Sequence, residues 1–110
     1  MNKENISAII PIHKKYDLNE LINSIADVVG EIILINSSNQ KLDLNYKNLK
    51  IFSFSKKLNA SESRNLGIER ASKKILFFLD FDVVLTENGR NFIKSLQSID
   101  KNELIEGIYV

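Results

Sequence analysis

A three-layer α/β/α fold around a mainly parallel sheet is what this sequence predicts. Three features carry that expectation. Short apolar runs rich in Ile recur at 6–12, 31–35 and 75–79, amphipathic stretches separate them, and capping residues stand at the junctions. Strands that are apolar at nearly every position are buried on both faces, the condition of a parallel strand covered by helices. With 110 residues, 44% hydrophobic and 26% charged, the chain suits one compact domain over 1–110. No internal repeat or low-complexity linker divides it.

The elements follow in order. Ile6 to Ile12 is a buried strand, ended by Pro11 and the polar His13-Lys14-Lys15. Asp17 with Glu20 three residues later has the spacing of a capping box. Behind it Leu18, Leu21, Ile22, Ile25, Val28 and Val29 share a helical face, with Gly30 where a C-terminal cap belongs. Glu31 to Ile35 is a second buried strand, and a polar loop opens at Asn36-Ser37-Ser38-Asn39-Gln40. Leu49 to Phe54 is a third strand. Asn59 and Glu62 repeat the capping-box spacing before a helix running to about Ser72, with Leu66, Ile68 and Ala71 expected in the core. Ile75 to Leu79 runs into Asp80-Phe81-Asp82, and Thr86 caps a helix whose apolar face is Phe92, Ile93, Leu96 and Ile99. Leu104 to Val110 is a last strand. The first strand is expected at the centre, with the second and third to one side and the Ile75 strand to the other.

Composition narrows the chemistry. The chain has no Cys, one His and a formal net charge of +1. Disulfides, thiolate metal sites and thiol nucleophiles are excluded, as are sites needing several imidazoles. Clustered positive charge for nucleic acid is missing, so no nucleic-acid partner is expected. The apolar runs are too short for a membrane span of about twenty residues or for a signal sequence. A cytoplasmic place is expected, with a peripheral position at the inner face of a membrane left open.

Ligands of open parallel sheets bind beyond the carboxyl ends of the strands, where strand order reverses. That singles out His13 to Lys15, Asn36 to Asn39, Ser55 onwards and Asp80 to Asp82. Asp80 and Asp82 are the sharpest feature, since residues i and i+2 of a strand point to one side. Two such hard oxygen ligands suit Mg²⁺ or Mn²⁺, completed by water and phosphate oxygens, although a solvated pair opening a turn has the same spelling. Arg64, near a helix start, suits an anion, as a surface Arg paired with Glu would also read. His13 follows a strand into the crevice, where a structural imidazole is the commoner outcome. Ser37 and Ser38 have no base beside them in sequence, so serine nucleophile chemistry is not expected.

Taken together these segments resemble the nucleotide-binding half of an inverting family 2 glycosyltransferase of the GT-A, Rossmann-like type. Ile6-Ser-Ala-Ile-Ile-Pro-Ile-His-Lys is similar to that family's opening strand, and Glu31-Ile-Ile-Leu-Ile-Asn-Ser-Ser-Asn to its second. Ser63-Arg-Asn-Leu-Gly-Ile-Glu-Arg-Ala looks like its Ala-Arg-Asn-x-Gly helix, and Ile75-Leu-Phe-Phe-Leu-Asp-Phe-Asp like the strand leading to its Asp-x-Asp. The resemblance covers roughly residues 5 to 110, in the expected order. His13 stands where the family has Tyr, Asn36 where it has Asp, and Val83 where a third Asp often follows.

The resemblance implies a nucleotide-diphosphate sugar donor, UDP-sugar favoured, and inverting transfer to a glycan or other hydroxyl acceptor, in surface polysaccharide or glycan synthesis. It places Pro11 and His13 at the base and ribose, Asn36 at the nucleobase edge and Arg64 on the nucleotide. Asp80 falls to the ribose or donor sugar, and Asp82, with Asp80, to a divalent metal, Mn²⁺ or Mg²⁺. The family's general base is expected beyond Val110, so the chain reads as truncated, with a sheet edge open to self-association. Two other readings stand beside this one. The Asp80 segment also resembles the loop of haloacid-dehalogenase-like phosphatases, with Asp80 as nucleophile and Asp82 as general acid/base. A non-catalytic nucleotide- or partner-binding domain is the third.

Overall fold

The computed structural model describes residues 5–96 and 103–105. Five strands, β1 (Ile6–Ile12), β2 (Glu31–Asn36), β3 (Leu49–Ser53), β4 (Ile75–Phe78) and β5 (Glu103–Ile105), form one sheet in the order β3-β2-β1-β4-β5. Every pairing is parallel. Among the described residues three helices, α1 (Asn19–Ile25), α2 (Ala60–Arg70) and α3 (Glu87–Ser95), complete the layers. The expected α/β/α fold, with the first strand central and the second and third on the opposite side from the Ile75 strand, is therefore observed. Residues 106–110 of the expected last strand, and Ile99 of the expected α3 face, lie outside the described residues.

Alternation along the strands assigns each side chain to a layer. Ala8, Ile10 and Ile12 of β1, with Ile32 and Leu34 of β2 and Phe77 of β4, pack under Leu21, Ile22 and Ile25 of α1 and Ile93 of α3. Ile9, Ile33, Ile35 and Phe78 face the other way, with Leu58 and Leu66 at α2. On the first face Arg90 of α3 grips α1, donating to the Ser24 carbonyl at 2.6 Å and to both Asp27 oxygens at 2.9 and 3.0 Å. The connection from β2 to β3 has no helix. Leu42, Leu44 and Tyr46 cover the first core there instead.

The helix starts differ from expectation in one instructive case. Asn59 and Glu62 form a complete capping box on α2, and the Thr86 hydroxyl caps α3 by accepting from Gly89 N–H. Asp17 and Glu20 form none. The Asp17 carboxylate accepts from the backbone and side chain of Asn19, which holds it below the ordinary carboxylate value, and α1 begins later with Leu18 at its cap. The expected helix also ends early, at Ile25, so Val28 and Val29 enter the core from a turn and Gly30 is no cap. Ile68 and Phe92, expected inside, are exposed.

α2 comes unusually close to the central strand. A methyl group placed on Gly67 would run into Cγ2 of Ile9, a buried β-branched side chain with little freedom to turn away. This glycine sets the height of α2 above the sheet.

A buried carboxylate closes the amino-terminal end of the sheet. Glu31, 2% exposed, accepts from the Ser7 hydroxyl at 2.6 Å, from Ser72 N–H at 2.6 Å and Ser72 Oγ at 3.0 Å, and from Lys50 Nζ at 2.9 Å. Burial alone would raise its pKa. The donors outweigh it and lower the value from 4.5 to about 2. One side chain thereby links β1, β2, β3 and the segment between α2 and β4.

Two outcomes follow from these contacts. Glu31→Gln is expected to lose about 2–3 kcal/mol at neutral pH in urea unfolding. Because the folded-state pKa is depressed, that contribution is complete above about 4.5 and fades as pH falls toward 2. The stability gap between wild type and variant should therefore close over that acid window, and a constant gap would contradict it. Gly67→Ala should destabilise by about 1–3 kcal/mol, overpacking outweighing the helix propensity gained. A more stable variant in the same assay would show that Ile9 yields.

Candidate functional site

The chain reverses its strand order at β1: β2 and β3 lie on one side, β4 and β5 on the other. At the carboxyl ends of β1 and β4 this reversal leaves a crevice. A cavity of about 780 Å³ lies there, the size of a small-ligand site. Three segments line it. Pro11, His13 and Lys14 come from the end of β1, and Phe78 to Asp82 from the end of β4. Lys57 to Ala60, with Ser63 and Arg64, come from the start of α2.

Five of the six residues singled out in the sequence meet in this cavity: Pro11, His13, Arg64, Asp80 and Asp82. β4 ends at Phe78, although Leu79 N–H still reaches the Ile9 carbonyl at 3.0 Å. Beyond it the alternation of burial continues. Leu79, Phe81 and Leu85 are buried and Val83 packs against the core, while Asp80 and Asp82 are exposed. Both Asp80 and Asp82 line the cavity, with Phe81 between them held inside. His13 stacks edge-on against Phe81, ring centroids 4.9 Å apart at 89°.

Asn36 is the exception. It pairs in register with Ile12, whereas Pro11 pairs with Ile35, so its side chain leaves the sheet on the α1 face. It is buried and outside the cavity lining. Its Nδ2 donates to the Gln40 carbonyl at 2.8 Å and to Ser53 Oγ at 3.3 Å. Its Oδ1 accepts from Ser38 N–H at 3.1 Å and Ser38 Oγ at 2.6 Å. Those four bonds fill the carboxamide's capacity. The Ser37 and Ser38 hydroxyls are likewise committed, to the Ile12 carbonyl and to Asn36.

Lys57 and Ser63 also line the cavity; Lys57 falls in the segment from Ser55 onwards that the sequence placed at the crevice, but neither residue was given a role there. The signal for Lys57 was position, since it follows the end of β3 on the crevice side; Ser63 adjoins Arg64 but is buried against the sheet. The cavity thus carries both signs of charge, Lys14, Lys57 and Arg64 with Asp80 and Asp82. Among the described residues no group of three or more His, Asp or Glu side chains could hold a metal ion by itself. A hard divalent cation does not need one: two carboxylates plus water and phosphate oxygens make a complete shell, and this donor set fits it. Among the described residues no helix is long and apolar enough to cross a membrane.

Comparison with curated proteins returned no match, and neither did comparison with solved structures. The family model for glycosyl transferase family 2 matches residues 7–104, and so takes in β1, β2, α2, β4 and the Asp80–Asp82 segment together. On that match, spanning nearly the whole of its length, the chain belongs to glycosyl transferase family 2.

Proposed function

We propose that this chain binds a nucleoside diphosphate sugar, UDP-sugar favoured, in the cavity at the ends of β1 and β4, for inverting transfer of the sugar to a hydroxyl acceptor. The observation that carries the reading is the pairing of charges in one cavity: two carboxylates on the β4 side and Arg64 with Lys57 on the α2 side. A diphosphate with its counter-cation is the ligand that uses both.

Arg64 holds a diphosphate oxygen, its planar guanidinium offering two parallel donors, and α2 adds the positive end of its dipole. Pro11 and His13 form the wall for ribose and base. Asn36 meets a nucleobase edge only by leaving its present bonds on the α1 face and turning toward the cavity. Asp80 orients the ribose or donor sugar. Asp82, with Asp80, holds the divalent cation. When bound, a Mn²⁺ or Mg²⁺ ion supplies positive charge against the departing diphosphate. The acceptor is a glycan or another hydroxyl compound, and the broader setting is the synthesis of surface polysaccharide or glycan.

Thermal unfolding with UDP tests the assignment. At about a hundredfold excess over Kd, binding stabilises by about 2.7 kcal/mol, a Tm rise of about 12 °C for a chain of this size. The rise should be larger with Mn²⁺ than with chelator. Asp82→Ala should remove the metal-dependent part alone, and Arg64→Ala should weaken UDP about tenfold in both conditions. Equal Mn²⁺ increments in wild type and Asp82→Ala would remove the metal role from this residue.

A further inference from the structure

The turn that carries the two carboxylates has little backbone support of its own. The bond that closes it, Val83 N–H to the Asp80 carbonyl, is long at 3.4 Å. What fixes it is the Phe81 ring, 4% exposed and gripped edge-to-face by two aromatic rings of the β1–α1 connection. His13 is one, and Tyr16, at 5.2 Å and 76°, is the other. That connection, residues 13–18, has no regular structure and needs an anchor in turn.

Gln40 provides the anchor. Its Oε1 accepts from Tyr16 N–H and its Nε2 donates to the Tyr16 carbonyl, both at 2.9 Å, so one carboxamide pairs with one residue as a neighbouring strand would. Gln40 is itself set by the end of β2. Its N–H donates to Ser38 Oγ at 3.1 Å, its carbonyl accepts from Asn36 Nδ2 at 2.8 Å, and Asn39 before it adopts a left-handed φ of 63°. An unbroken series of contacts therefore runs from Asn36 through Gln40 and Tyr16 to Phe81, between Asp80 and Asp82.

We propose that Gln40 is a positioning residue for the Asp80–Asp82 turn, acting through Tyr16 and the Phe81 ring. The inference rests on the reading of those carboxylates as the holders of a divalent cation. Without the clamp, Tyr16 swings free, Phe81 loses one of its two ring partners, and the carboxylates no longer share a fixed separation. Groups that orient metal ligands from outside have this character: their loss weakens metal-dependent binding without touching the ligand.

Two measurements on Gln40→Ala test it, with Glu31→Gln as a control that weakens the fold elsewhere. UDP titrations with Mn²⁺ and with chelator give the metal-dependent gain in affinity. Gln40→Ala is expected to cut that gain about tenfold, with UDP affinity in chelator unchanged, while Glu31→Gln keeps the full gain. Gln40→Glu, which sets a carboxylate oxygen against the Tyr16 carbonyl, should lose the gain at least as far as Gln40→Ala. Backbone amide spectra without ligand should show Gln40→Ala displacing the signals of Asp80 to Asp82. A full Mn²⁺ gain in Gln40→Ala, or a loss equal with and without Mn²⁺, overturns the inference. If the wild type shows no Mn²⁺ gain, the cation reading itself falls, and the amide spectra decide the link: displaced Asp80 and Asp82 signals sustain it, unmoved ones overturn it.

Discussion

The structure depends on a central strand that is buried on both faces and paired on both edges. β1 has β2 on one side and β4 on the other, with α1 and α3 above it and α2 below. A strand so enclosed has no polar position to spare, which is why Ile6 to Ile12 carries only Ser7 as an exception. It also fixes where chemistry can occur. The connections that lead to β2 and to β4 place those strands on opposite sides of β1, so a crevice opens at its carboxyl end. Residue parity then divides the neighbouring side chains between layers, Pro11 and Asp80 toward α2 and Asn36 toward α1.

The two ends of this sheet treat charge in opposite ways. At the amino-terminal end the Glu31 carboxylate is buried and surrounded by donors from Ser7, Ser72 and Lys50. Its charge is consumed internally and stabilises the fold. At the carboxyl end Asp80 and Asp82 are exposed and face a cavity with Lys57 and Arg64 on its far side. Charge there is displayed for a ligand. Among the described residues no buried side-chain nitrogen or oxygen lacks a partner, so the polar interior is closed.

Much of this was legible in the sequence, for reasons that differ by element. Continuous apolar runs gave the strands because burial on both faces leaves no other composition open to them. The capping spacing was right at Asn59 and Glu62 and misleading at Asp17 and Glu20. Identical spacing cannot show that Asp17 would close a local turn on Asn19 instead. The Asp pair was found for its strand periodicity, which the backbone abandons after Phe78 and the buried Phe81 restores. Asn36 was placed at the site by its position after a strand. Its register opposite Ile12, which turns it to the other face, is a property of strand pairing that one strand's sequence does not contain. Gln40 and Tyr16 were illegible for a related reason: their contact joins residues 24 apart through a loop with a left-handed Asn39.

The central claim is that the charged cavity holds a diphosphate and its cation between Asp82 and Arg64. Diffraction from crystals grown with UDP and Mn²⁺, recorded at the manganese absorption edge, tests it most directly. The account predicts a single anomalous peak about 2.1 Å from an Asp82 carboxylate oxygen, with diphosphate density between it and Arg64. Ordered UDP in the cavity with no anomalous peak near Asp80 or Asp82, or a peak at another carboxylate, would contradict it.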